Sequence, residues 1–266
     1  MMESLIPLAL VVTVLMVVLM IAVWGLALKL DNFGIVDAAW SLSFALVAFL
    51  AATTGAGWSP RRIAMATAVS LWSLRLGIYL WRRIASHHPI EDRRYSELRK
   101  EYGAHVKARM FAFFQMQGAS VVLLTIPFML IAQNPAEGFS VIEIAGFVVW
   151  GLSLFGESLS DRQLNRFKSA PENRGKVCDV GLWRYSRHPN YFFESCVWLG
   201  YFMMALGSPG GVYTIYCPLA ILFLVVKVTG IPPAEKASLQ SRGDAYRSYQ
   251  ARTSAFIPWF PKGGGK

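Results

Sequence analysis

Charge is scarce in this 266-residue chain. Only 16% of its residues are Asp, Glu, Lys or Arg, against about a quarter in an ordinary soluble domain. With 55% hydrophobic residues and a mean hydropathy of +0.41, this excludes a disordered, fibrous or ordinary soluble protein and points to the bilayer. Cysteine is sparse too. Cys178, Cys196 and Cys217 have neither metal nor disulfide spacing. Four histidines, two of them the adjacent His87 and His88, offer no zinc set, so no metal site is predicted. There is no Gly-rich loop after a strand and no Gly-Lys-Ser/Thr phosphate loop, which excludes the common soluble nucleotide folds. Met1-Met2-Glu3-Ser4 lacks a basic n-region and the first apolar run lacks a small-residue cleavage site, so no removed signal peptide is expected.

What is abundant is apolar sequence in long runs. Seven stretches approach the length needed to cross a hydrocarbon core of about 30 Å. They lie at 5–28, 36–54, 63–81, 111–133, 141–160, 191–207 and 212–231. The expected fold is all-α: one polytopic bundle of seven transmembrane helices over residues 1–266. Gly207-Ser208-Pro209-Gly210-Gly211 reads as a tight turn between the last two spans. The net charge of +10 would suit nucleic acid, but its placement argues against that partner. All Lys and Arg except Arg61, Arg62, Arg75 and Lys227 fall in alternate loops, at 29, 82–110, 161–190 and beyond 232. By the positive-inside rule that side is cytoplasmic, with the N-terminus outside and the C-terminus inside.

Charges within apolar runs cost roughly 2.5–3.5 kcal/mol each on insertion scales, so they carry information. Asp37 starts the second span, Arg75 lies in the third, Glu143 and Glu157 flank the fifth, Glu194 lies in the sixth and Lys227 near the end of the seventh. Internal pairing, such as Asp37 with Arg75, would account for some of them structurally. Glu143 and Lys227 are close enough to span ends to reach water. Spacing favours more. Glu157, Asp161, Asn165 and Lys168 recur at three or four residues and form one helical stripe. Asn190 and Glu194 share a face, as do Asp37 and Trp40, and Trp72, Arg75 and Tyr79. Such faces must meet protein, water or ligand rather than lipid. The loops Glu91-Asp92-Arg93-Arg94-Tyr95 and Gly181-Leu182-Trp183-Arg184-Tyr185-Ser186-Arg187-His188-Pro189-Asn190-Tyr191 mix cations with aromatic rings. A polyanionic nucleotide would suit that chemistry, and so would anionic lipid headgroups.

The run Gly181 to Glu194, GLWRYSRHPNYFFE, resembles the signature of the steroid 5α-reductase and sterol-reductase superfamily. Asp161 to Lys168, DRQLNRFK, resembles its companion segment. Pro233-Ala234-Glu235, Tyr246-x-x-Tyr249 and Phe256-Ile257-Pro258 resemble its C-terminal end. Val36-Asp37-Ala38-Ala39-Trp40 and the 91–95 run are most like the superfamily's bacterial subgroup of formerly unknown function. The resemblance covers about residues 33–259, with most cofactor motifs in the C-terminal half, about 141–259. It implies a bundle holding NADPH in a cytoplasm-facing cavity and reducing a carbon–carbon double bond conjugated to the ketone of a steroid-like enone. It also implies a bacterial inner membrane.

Carried over residue by residue, the cofactor set is Arg75, Arg93, Asp161, Lys168, Lys176 and Asn190, with Arg187, His188, Tyr191, Glu194 and Glu235 in the same motifs. Glu157 stands where steroid 5α-reductases have Asn, and Lys168 and Lys176 where they have Arg. The carbonyl end departs from the family. Its Gln-Glu pair of span two is absent, and Trp72 stands where it has a catalytic Tyr. Asp37, Trp40 and Tyr79 are therefore the expected catalytic residues. Protonated Asp37 and Tyr79 are the two candidate donors to the ketone. A neighbouring family, the isoprenylcysteine carboxyl methyltransferases, shares an Arg-His-Pro-x-Tyr motif and binds S-adenosylmethionine. A lipid-binding protein without catalysis is the third reading.

Overall fold

A computed structural model describes the backbone of residues 2–262. Among them the secondary structure is helical, apart from an isolated bridge between Ser186 and Ser254. Among the described residues six helical stretches are long and apolar enough to cross a membrane: Leu5–Leu30, Ile35–Thr54, Ser59–His87, Arg93–Gln133, Val141–Ser169 and Gly211–Arg252. The chain divides into two compact units. One is Met1–Phe139 with Gly207–Gly211; the other is Ser140–Leu206 with Val212–Lys266.

The first unit contains α1 (Met2–Leu30), α2 (Ile35–Thr54), α3 (Ser59–His87), α4 (Arg93–Tyr102), α5 (Val106–Leu124) and α6 (Ile126–Gln133). α1 buries Val12, Met16 and Met20 and exposes Leu10, Val14 and Val18, a surface suited to lipid rather than water. α2 lies against α3 around the edge-to-face rings of Trp40, Phe44 and Trp72. The expected span 111–133 is two helices. Pro127 has no N–H to donate and restricts the residue before it, so the chain turns at Thr125, whose hydroxyl donates to the Val121 carbonyl at 2.8 Å. The turn before α2 is tied to α4 by Arg99, which bonds both oxygens of Glu91 and also Asp31. Asp92 caps α4 by accepting the Arg94 N–H at 3.0 Å.

The same unit uses two charges that the spacing left unexplained. Arg61 is 2% exposed. Its guanidinium donates to the carbonyls of Asn134, Ala136 and Gly138 and lies over the rings of Trp58 and Phe139. Arg62 donates to the carbonyls of Ala52 and Gly55 at 2.8 and 2.6 Å. The two cations expected on the outer side are thus spent on the chain's own backbone.

The second unit contains α7 (Val141–Ser169), α8 (Pro189–Leu206), α9 (Tyr216–Phe223) and α10 (Ile231–Arg252). α7 opens with a capping box: Ser140 and Glu143 each bond the other's backbone N–H. Glu143 is therefore a helix cap, buried and bonded, rather than a charge reaching for water. α7 and α8 touch through glycines. A Cβ on Gly146 would lie 2.8 Å from the Met204 nitrogen and 2.9 Å from the Gly200 carbonyl oxygen, so only glycine allows this approach. α8 is 18 residues long, about 27 Å at the helical rise. The expected last span, 212–231, is interrupted: α9 runs into a π-turn at Leu224–Val228 containing Lys227, and α10 continues into polar sequence.

Candidate functional site

In the first unit the chemistry centres on Asp37. It lies in the first turn of α2, half-buried, and its Oδ1 accepts the phenol of Tyr95 at 2.6 Å. Tyr95 is 0% exposed and belongs to α4, within the apolar cluster of Phe33, Val36, Met110 and Phe114. Nearby charges are otherwise engaged. Arg83 pairs with Asp92, and the Arg94 guanidinium lies over the Tyr95 and Phe113 rings at 5.6 and 5.9 Å. Asp37 thus pairs with a phenol, not with Arg75. Among the described residues the hydrogen bond to its carboxylate is made at Oδ1.

The other expected residues of this unit are Trp40 and Tyr79 at the carbonyl end and Arg75 and Arg93 in the cofactor set. Trp40 donates its indole N–H to Ser120 at 2.8 Å and packs on Phe44. Tyr79 and Arg75 are both half-buried on α3. Arg93 lies at the exposed start of α4, paired with Glu97 at 2.8 Å one turn on. Tyr95 was legible only as part of the 91–95 run. The usable signal was its period: Tyr95, Leu98 and Tyr102 recur at three and four residues on an otherwise polar helix.

In the second unit the stripe Glu157, Asp161, Asn165 and Lys168 lies along the single helix α7, as its spacing predicts. The two motifs meet where Asn190, at the start of α8, donates from Nδ2 to Asp161 Oδ1 at 3.4 Å. Asn190 Oδ1 is buried and has no hydrogen-bond partner among the described residues. Such a group calls for an explanation. Glu157 is buried, and Glu194 accepts the Trp198 indole N–H at 2.9 Å. Lys168 and Lys176 are exposed.

Three residues expected at the cofactor site meet in one hydrogen-bonded knot. Arg187 donates from Nε to Glu235 Oε1 at 2.6 Å and from Nη1 to the carbonyls of Gln250, at 3.0 Å, and Thr253, at 2.6 Å. His188 Nε2 lies 3.3 Å from the same carboxylate oxygen. Gln250 donates to Glu235 Oε2 at 2.6 Å and the Tyr246 hydroxyl reaches Oε1 at 3.4 Å. Glu235 lies past the last apolar run. Burial alone would raise its carboxyl, but hydrogen bonds from His188 and Arg187 outweigh it and hold the group at about 2. Tyr191 stacks on His188 with ring centres 5.4 Å apart. This knot joins the start of α8 to α10 and the C-terminal tail.

A family profile described as "Protein of unknown function (DUF1295)" matches residues 23–253. The chain belongs to this family. The match spans both clusters, from Asp37 and Tyr95 in the first unit to Asp161, Asn190, Arg187 and Glu235 in the second. The chain is also similar to a Schizosaccharomyces pombe protein named uncharacterized protein C594.04c, 25% identical over 263 residues, which covers 88% of this chain and 75% of the relative. No solved structure matches it.

Proposed function

We propose that this DUF1295 chain is an NADPH-dependent reductase of a carbon–carbon double bond conjugated to a ketone, acting on an apolar, 3-oxo-Δ4-steroid-like substrate. In this reading seven spans cross a bacterial inner membrane, with the N-terminus outside and the basic loops and C-terminus in the cytoplasm. The observation that carries it is the Asp161–Asn190 bond, which brings together two motifs that resemble the reductase signature and leaves a buried acceptor, Asn190 Oδ1, open for a ligand donor.

The residues present fit the cofactor in part. The exposed ammonium groups of Lys168 and Lys176 suit phosphate, and Asp161 and Asn190 suit hydroxyl or amide groups. Arg187 and His188 both bond the Glu235 carboxylate, and in this reading the three position Asn190 and Tyr191 by fixing the start of α8. Bound NADPH supplies a hydride. The protein's part is to manage the charge that develops on the substrate's ketone oxygen as the β-carbon is reduced. Asp37 is suited to that work. In neutral form it can donate from Oδ2 to the ketone oxygen while Tyr95 holds Oδ1, and stabilising such an oxyanion is often the largest catalytic term. Tyr79 is the second donor available on α3. The α-carbon then takes a proton from water, giving the saturated ketone.

The test is titration of purified protein with NADPH, NADH and S-adenosylmethionine, followed by turnover of a 3-oxo-Δ4 steroid. NADPH should bind more tightly than NADH, and more weakly as salt rises, because its extra phosphate needs cationic partners. Binding of S-adenosylmethionine in place of NADPH would overturn the reductase. NADPH binding with no turnover of any such steroid would remove the steroid and leave the class.

A further inference from the structure

The C-terminal segment 253–262 is a strap. It is pinned along residues 185–187 by three hydrogen bonds: Arg187 N–H to the Ser254 carbonyl at 2.8 Å, Ser186 hydroxyl to the Phe256 carbonyl at 2.8 Å, and Trp259 N–H to the Tyr185 carbonyl at 2.9 Å. A fourth bond joins Lys262 N–H to the Arg252 carbonyl at 2.9 Å. Pro258 and Pro261 further restrict the backbone. This ordered strap turns its largest apolar groups outward: Ile257 is 60% exposed, Trp259 70% and Phe260 76%. Phe260 stands edge-on to the half-exposed ring of Tyr185 with centres 6.0 Å apart. Rigid aromatic groups held out from the protein mark a contact surface.

The strap's position selects the partner. Residues 185–187 lead directly into α8, which begins at Pro189. A segment paired with them therefore lies at the end of an apolar helix, where a bilayer's headgroups begin. Tyr and Trp are enriched at that depth, because their rings are apolar and their polar atoms can stay wet. The strap carries no acidic residue, and the exposed Arg184 and Lys262 flank it with positive charge. That charge is complementary to anionic headgroups.

We propose that the strap is an interfacial membrane anchor, inserting Ile257, Trp259 and Phe260 among the headgroups of a leaflet rich in anionic phospholipid. It holds the tail against the bilayer independently of any catalytic reading, and the knot around Glu235 sets its placement.

The full chain is reconstituted in phosphatidylcholine–phosphatidylglycerol vesicles containing lipid brominated near the headgroup, and tryptophan quenching is compared for wild type and Trp259→Phe. The chain has 9 tryptophans, of which Trp72 and Trp198 are fully buried. Trp259→Phe should therefore remove more than a one-ninth share of the quenching while leaving thermal stability unchanged. Benzoylphenylalanine placed at position 260 should form phospholipid adducts on illumination. Unchanged quenching in Trp259→Phe, or adducts to a second copy of the chain instead of lipid, would overturn the anchor.

Discussion

Glu235 offers the most direct test of whether the knot is structural. Removing it in Glu235→Ala leaves Arg187, whose side chain is only 11% exposed, without its carboxylate, and deprives Gln250 and Tyr246 of an acceptor. Breaking a buried ion pair from one side costs about 3–5 kcal/mol. The low end applies here, about 3 kcal/mol, because Arg187 keeps the carbonyls of Gln250 and Thr253 and the Glu235 side chain is 16% exposed. At about 2–4 °C per kcal/mol, the midpoint in detergent should fall by roughly 6–12 °C. Glu235→Gln, which retains the shape without the charge, should fall between. The pH dependence has a definite sign. The folded carboxyl sits at about 2 and its ordinary value is 4.5. Its contribution is fully present above pH 4.5, and is lost as pH falls toward about 2. The gap between wild type and Glu235→Gln should narrow over that window. An unchanged midpoint together with weakened NADPH binding would refute the structural role and return Glu235 to the cofactor site.

Three further outcomes are expected. Asp37→Asn should leave NADPH affinity unchanged and abolish most steroid turnover, since an amide is a poor acid. Tyr95→Phe removes one hydrogen bond worth about 0.5–1.5 kcal/mol and should lower kcat by up to roughly tenfold; normal rates in both, with Tyr79→Phe inactive, would transfer the donor role to Tyr79. Arg61→Met removes the guanidinium from the carbonyls of Asn134, Ala136 and Gly138; Asn134 keeps the Trp58 N–H at 3.0 Å, and Ala136 and Gly138 are exposed, so water can replace the lost donor there. Hydrogen bonds to a charged group are worth about 1.5–3 kcal/mol, so the variant should be about 1.5–3 kcal/mol less stable, with Arg61→Lys recovering only part; equal thermal midpoints for Arg61→Met and wild type would sink that account.

The sequence by itself determined much of what depends on near neighbours along the chain. The long apolar runs became long helices, because length and composition decide whether a segment can bury its own backbone polar groups. The stripe from Glu157 to Lys168 lies on one helix because side-chain direction repeats every 3.6 residues. Ser140 and Glu143 stand three residues apart, the spacing of a capping pair, although Glu143 read as a charge reaching for water. The break at Thr125 was also local, set by Pro127, though the apolar pattern runs straight through it. What the tertiary structure alone decided were the partners. Asp37 could be placed at the start of a span, but its bond is to Tyr95, 58 residues away. Arg187 lies in a motif that suggests phosphate, yet it meets Glu235, 48 residues on. Arg61 reads as a surface cation and is a buried clamp. A charged side chain carries the same sequence signal whether it faces water, ligand or an opposite charge. Which it faces is set by the packing of helices that periodicity cannot order, and by which donors and acceptors that packing removes from solvent.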